Sequence, residues 1–317
     1  MTKPTLSMLD AISRTTLQDD VFGEDPVTNS LQEYVAKRTN HEDALLVMSG
    51  TMGNQVAIRT HLAQPPYAVL CDYRSHILCY EAGGVSAWTG ATVQPVFPKN
   101  SVYLTLEDVQ RHAVLEDDQH YCPTRLISLE NTLDGMVMPL DEARRITDWA
   151  HANNIKVHLD GARLWEAVVS RAGSLADYAS MFDSVSLCFS KGLGAPIGSI
   201  IAGPKEFIKK ARWFRKSIGG GTRQAGIIAG PALVALEETF GPDPYGQEGK
   251  LRETHAKSQR VAELWTSRGG KLLHPVHTNM VWLDLKSSGV GPNDLAVIGE
   301  DKGLKLSGGR VVVHYRK

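Results

Sequence analysis

Lys191 closes a short apolar run, Ser184-Val185-Ser186-Leu187-Cys188-Phe189-Ser190, and is followed at once by Gly192, Gly194 and Pro196. A lysine delivered by a strand into a glycine-lined turn lies at the carboxyl edge of a sheet, where α/β folds bind ligands. Upstream, Ile155-Lys156-Val157-His158-Leu159 reads as another strand and ends in Asp160-Gly161-Ala162-Arg163. A lysine there can form a Schiff base, and an acid at a second strand end can hold a pyridinium nitrogen. Together Lys191 and Asp160 suggest pyridoxal phosphate.

Other residues could complete such a site. Ser49-Gly50-Thr51-Met52-Gly53-Asn54 joins a strand-like run to a helix-like one. Backbone amides at a helix start bind anions and glycine permits close approach, so Gly50 and Thr51 could cup a phosphate. A plain capped turn needs the same residues, and Asp160 alone could be a helix N-cap. Arg163 could hold a carboxylate through two parallel hydrogen bonds, or make a surface ion pair. His76 could stack on a cofactor ring or act as a base, since an imidazole titrates near pH ~6.5; a helix-start histidine that caps or faces solvent is the alternative. Tyr80, one turn on if this is helix, either faces the same way or packs in a core. His120 lies in the polar loop 116–120 and, read alone, is solvent-exposed. Lys216 and Arg223 flank a triple glycine, Gly219-Gly220-Gly221, which suits an anion site as well as a flexible interhelical loop. No metal-ligand set is predicted.

Strand-like and helix-like segments alternate through the first two thirds of the chain. Ala44 to Met48, Ala68 to Cys71, Thr92 to Phe97, Arg125 to Leu129, Ile155 to Leu159 and Ser184 to Phe189 read as buried strands. Met52 to Leu62 and Leu140 to Asn153 read as helices, the second with apolar positions at Leu140, Ala143, Ile146, Trp149 and Ala150. Such alternation predicts an α/β fold with a mostly parallel sheet covered by helices. Helices are expected over Pro204 to Arg215 and Gln224 to Phe240, then a breaker-rich boundary at Gly241 to Gly246. A smaller α/β unit follows, with a helix over Leu251 to Arg268 and strands near Met280 to Leu285 and Arg310 to Tyr315.

The chain has 317 residues, 42% of them hydrophobic, and a net charge of -1. That balance gives no footprint for nucleic acid or a charged membrane surface. Neither a secretory signal nor an apolar run of about 18 residues is present, so a membrane span is not expected and a cytoplasmic location is. The four cysteines, Cys71, Cys79, Cys122 and Cys188, form no C-x-x-C pair and read as buried free thiols of a reducing compartment.

These segments together resemble the low-specificity L-threonine aldolases, fold-type I pyridoxal-phosphate enzymes, through most of the chain. The phrases Ser49 to Gln55, His158 to Leu164 and Phe189 to Pro196 carry the resemblance; Asp20 to Pro26 and Gly219 to Gly226 agree with it. It implies a large pyridoxal-phosphate domain over 20–241 with a seven-stranded-type sheet. A small C-terminal domain would span 242–317, with 1–19 packing nearby. It implies Lys191 as the Schiff-base lysine, Asp160 as the pyridinium partner, Gly50 and Thr51 as the phosphate cup, and His76 as the ring-stacking histidine. Arg163 and Arg310 would bind the substrate carboxylate, and His120 would contact the substrate hydroxyl as the second histidine. Lys216 and Arg223 would be site residues that a neighbouring subunit supplies, within a dimer of dimers that shares its active sites.

The implied reaction is cleavage of L-threonine, L-allo-threonine or both to glycine and acetaldehyde, by a carbon–carbon lyase of amino-acid metabolism. The rivals are a β-eliminating lyase or aminotransferase of the same fold, and a non-catalytic homologue. Three departures stand out. The family's Arg-Ser-Asp-Thr opening would precede Thr2 to Thr5, and a helix would follow Arg310, so the chain reads as trimmed at both ends. Phe22 stands for the usual tyrosine. Leu133-Asp134-Gly135 follows the Glu-Asn-Thr phrase where His-Asn is more common.

Overall fold

Apolar runs too short for a helix and bounded by Gly, Pro or Asp become strands when helices cover both faces. The computed structural model describes residues 2–116, 118–306 and 308–316. Seven strands form one sheet: β1 Asp43–Val47, β2 Ala68–Asp72, β3 Thr92–Val96, β4 Thr124–Glu130, β5 Lys156–Gly161, β6 Ser184–Cys188 and β7 Ser199–Gly203. Their spatial order is β1-β7-β6-β5-β4-β2-β3. The pairs β2–β3, β2–β4, β4–β5 and β5–β6 are parallel. β7 is antiparallel to both of its neighbours, β1 and β6.

The fold class is the one the alternation predicts. The addition is β7, whose brief Ser-Ile-Ile-Ala-Gly run carries no periodicity of its own. It is fully buried because it slots between β1 and β6. The Gly50–His61 helix begins two residues earlier than its apolar pattern, because Ser49 accepts the Met52 N–H and starts the turn there. The stretch expected to be helical from Gln224 to Phe240 is a helix over Gly226–Ala235 that widens into a π-helical turn over Leu236–Phe240.

Side chains alternate across the sheet. Leu45, Val47 and Ile201 pack with Val56 and Ala57 of the Gly50–His61 helix. Leu46, Ile200, Leu159 and Leu187 turn the other way, into the largest core with Ile146 of the Leu140–Ala152 helix. The Leu6–Arg14 helix, capped by Thr5, inserts Met8 into that core.

A second sheet holds β8 Lys271–Leu272, β9 Met280–Asp284 and β10 Arg310–Val312, all antiparallel. Ala262 of the Leu251–Thr266 helix covers it, with Val281, Leu283 and Leu295. It docks on the loop after β4. Trp282 Nε1 donates to the Asp134 carbonyl at 2.8 Å, and Thr278 Oγ1 to the Gly135 carbonyl at 2.7 Å. Gly135 has φ +81°, and a Cβ there would lie 2.6 Å from Met280 Cβ, so the docking needs glycine.

The cysteines are free, as expected, but only Cys71 and Cys188 are buried. Cys79 is exposed because it ends a single outward-facing turn, His76–Cys79. No helix among the described residues is long and apolar enough to cross a membrane.

One ion pair is sealed inside. Arg215 Nη2 donates to Asp20 Oδ2 at 2.8 Å and Nη1 to the Leu46 carbonyl at 2.6 Å, with both side chains at most 4% exposed. It ties the turn at Asp20–Phe22 and the Lys205–Ser217 helix to β1. Replacing Asp20 by Ala would strand the guanidinium, so urea unfolding should show a loss of about 3–5 kcal/mol. An unchanged midpoint would contradict the buried pair.

Candidate active site

Parallel strands that end level bring their last residues together. Glu130 of β4 pairs in register with Asp160 of β5, and Asp160 with Ser186 of β6. β6 then leads through Phe189 to Lys191, in a turn closed by Gly194 N–H to the Lys191 carbonyl at 3.1 Å. Lys191 lines a cleft of about 290 Å³ with His76, Glu130, Arg163 and Arg310. The Gly50–His61 helix starts beside this turn. A Cβ on Gly50 would lie 2.8 Å from Cys188 Sγ, so the helix N-terminus presses on the end of β6. Its first N–H groups have no partner within the helix.

These residues fit pyridoxal phosphate. Lys191 would supply the amine, buried Asp160 the carboxylate for the ring nitrogen, and Gly50 and Thr51 an anion-binding helix start. Asp160 is already oriented. Its Oδ1 accepts the Ala162 N–H at 3.0 Å, and its Oδ2 accepts Asn54 Nδ2–H at 2.7 Å. Asn54 Nδ2 also donates to Glu81 Oε1 at 2.9 Å. His76 Nδ1 lies 2.9 Å from the same Glu81 oxygen. The one grouping of three possible metal ligands among the described residues, His76, Glu81 and Asp160, is thus gathered around an amide donor.

Charge is unevenly balanced at the cleft. Burial first, then the Asp160 carboxylate, push the Glu130 carboxyl well above the usual range, although it accepts the His76 N–H at 2.9 Å. Arg163 is lowered by burial and by the Arg310 guanidinium. Among the described residues, neither arginine closes an ion pair with a carboxylate, and Arg310 instead lies over the Trp282 ring at 5.7 Å. Two guanidinium groups with no carboxylate in ion-pair range suit a ligand carboxylate, on a cleft that Glu130 and Asp134 also line.

The chain matches the beta-eliminating lyase family over residues 1–288. It is 51% identical over 316 residues to Aldolase vrtJ of Penicillium aethiopicum, covering 100% of this chain and 80% of the relative. It is 45% identical over 316 residues to Alanine racemase TOXG of Cochliobolus carbonum, covering 100% and 81%. It is 45% identical over 316 residues to the low specificity L-threonine aldolase of Saccharomyces cerevisiae, covering 99% and 80%. The chain belongs to the threonine aldolase family. The fold agrees: Leishmania major threonine aldolase superposes with a TM-score of 0.82 at 19% identity, over 99% of this chain and 92% of that one.

Within this chain, one expected site residue lies apart from the cleft. His120 is exposed, bonded to Asp118 Oδ1 at 2.7 Å, and lies before the amino end of β4. β4 has seven residues, so at about 3.3 Å per residue its length separates His120 from Glu130 at the carboxyl end. Ten residues in sequence become the full span of a strand. The cleft wall after Glu130 is made instead by Leu133 and Asp134. Tyr80 lines the cleft but is 73% exposed, with its ring 5.7 Å from that of His76. Lys216 and Arg223 are exposed outside the cleft, and Arg223 pairs with Asp19.

Sequence reasoning passed over Asn54, Glu81, Glu130, Arg74 and Asp134. A signal existed for the first of these. His158, Asp160, Ser184 and Ser186 alternate with Val157, Leu159, Val185 and Leu187 along two buried strands, so one face had to meet a polar partner. That partner is Asn54, whose Oδ1 lies 2.6 Å from Ser186 Oγ and 3.2 Å from His158 Nε2.

Burial drives His158 down to about 4. Burial, and then the neighbouring His158, drive His61 to about 3. Unfolded imidazoles titrate near 6.5 and bind protons that the folded ones refuse. Their contribution is whole above that pH and is lost as pH falls toward 4, about 3 kcal/mol from His158 alone. Urea midpoints should therefore drop from about pH 7 to about pH 4, and His158→Asn should flatten the slope. Equal slopes for the two proteins would contradict a neutral buried His158.

Proposed function

We propose that this chain cleaves the Cα–Cβ bond of L-threonine, L-allo-threonine or both, giving glycine and acetaldehyde. The observation that carries the reading is the pair Arg163 and Arg310, neither closed by an ion pair among the described residues, on the cleft that holds Lys191. The names of its relatives support the same reaction class.

Lys191, Asp160 and the Gly50–Thr51 helix start would hold pyridoxal phosphate. When bound, that group accepts the electron pair left by the breaking Cα–Cβ bond. Arg163 and Arg310 clamp the substrate carboxylate and so fix which bond at Cα stands ready to break. His76 is the imidazole on this cleft and takes the β-hydroxyl proton. A proton returned to Cα completes glycine. Asp160, held by Asn54 and the Ala162 N–H, would bind the ring nitrogen.

Lys216 and Arg223 stay outside the cleft of their own chain, and Tyr80 is exposed at its edge. A second copy that contributes these cations accounts for both, which favours a homo-oligomer, a dimer of dimers, with shared sites and a cytoplasmic role in amino-acid metabolism.

Incubation with each threonine diastereomer should release acetaldehyde and glycine. An α-keto acid product, or D-alanine formed from L-alanine, with no acetaldehyde, would move the reading to transamination or racemisation. Lys191→Ala should abolish borohydride trapping of the cofactor on the chain; a trapped adduct would reject Lys191.

A further inference from the structure

The carboxamide of Asn54 fixes the direction of each hydrogen bond in the floor of the site. Its nitrogen lies 2.7 Å from Asp160 Oδ2 and 2.9 Å from Glu81 Oε1. Ionised carboxylates only accept, so Nδ2 donates to both. Its oxygen must then accept, from Ser186 Oγ and from His158 Nε2. His158 therefore carries its proton on Nε2, and its Nδ1 accepts from Ser184 Oγ at 2.8 Å. Ser184 has given away its one proton, so His61 Nε2–H donates to it at 2.7 Å. The donors run one way, from His61 to the two acids.

Glu81 carries this direction into the cleft. Its side chain is fully enclosed, and Gln55 Nε2 donates to its second oxygen at 3.3 Å. His76 Nδ1 meets Oε1, which already accepts from Asn54. An acceptor-only carboxylate requires the proton on His76 Nδ1. His76 Nε2 is left with the lone pair, on a ring that lines the cleft. Leu133 and Asp134 form the wall beyond, and a second imidazole, His314, lines the adjoining cavity that shares Lys191, Arg163 and Arg310.

We propose that Glu81 is the positioning residue that makes His76 the acceptor of the β-hydroxyl proton of a β-hydroxy-α-amino acid. The proposal rests on the aldol reading of the site. His76 Nε2 takes the hydroxyl proton, and the O–H electron pair becomes the second bond of the aldehyde carbonyl. The Cα–Cβ bond breaks, and its pair stays with Cα. Glu81 stabilises the resulting imidazolium through Nδ1–H, as a carboxylate does in a histidine–acid pair.

The test separates proton transfer at the β-hydroxyl from proton transfer at Cα. Exchange of the glycine Cα–H in deuterium oxide involves no β-hydroxyl. E81Q should lower kcat for threonine cleavage about 100-fold with KM within about threefold, and leave glycine exchange within about threefold. E81D, which keeps the charge, should recover at least about tenfold of that loss, and E81Q in an H76N background should cost almost nothing more. Nitrogen-15 spectra of histidine-labelled protein without cofactor should place the His76 proton on Nδ1, and E81Q should shift it toward Nε2. Equal losses in cleavage and exchange, or a His76 tautomer that E81Q leaves unmoved, would overturn the proposal. Cleavage untouched by E81Q overturns the proposal alone; no cleavage by the unsubstituted protein overturns the aldol reading along with it.

Discussion

One side chain holds the polar floor of this molecule together. Asn54 is buried between the Gly50–His61 helix and the sheet, with two carboxylates on its nitrogen and two donors on its oxygen. Only a carboxamide offers two donors and an acceptor in so small a volume. A leucine there would leave Asp160 and Glu81 facing each other across a dry gap, and an aspartate would add a third like charge. The helix that carries Asn54 also presents Gly50 and Thr51 at its start. At Gly53 the helix lies close on the sheet, where a Cβ would reach contact with Ser186 Cβ at 3.4 Å. Gly50, Thr51, Asp160 and Glu81 are therefore placed relative to one another by one helix.

Much of this was legible in the sequence. The strand-end positions of Asp160 and Lys191 follow from apolar runs that stop at Gly-rich turns, and short runs between helices place both at one edge of a parallel sheet. The phrases around Gly50, Asp160 and Lys191 were specific enough to give the family. β7 was not legible, because a fully buried five-residue run between glycines shows neither a period of two nor of 3.6. His120 lies apart from Glu130 within the chain for a geometric reason. Distance along a strand is lost when residues are counted in sequence, and a loop before β4 opens on the opposite edge from the loop after it.

The second wall of the cleft shows where this chain departs from its family's pattern. Leu133 and Asp134 replace the more common His-Asn phrase, and Arg74 reaches Asp134 at 3.9 Å while bonding Asp72 at 2.9 Å. An apolar side chain and a paired carboxylate line this side of the cleft. The wall's backbone is held by Trp282 and Thr278 of the small sheet, so its shape belongs to both sheets at once.

That shared wall gives the two arginines a mechanical meaning. Arg163 follows β5 in the large sheet, whereas Arg310 opens β10 in the small one. Arg310 already weighs on the Arg163 charge across that junction, and an anion between the two would relieve it. A free amino acid would bring that anion with it. An ester or amide of the same amino acid has no charge there, and would leave the repulsion in place.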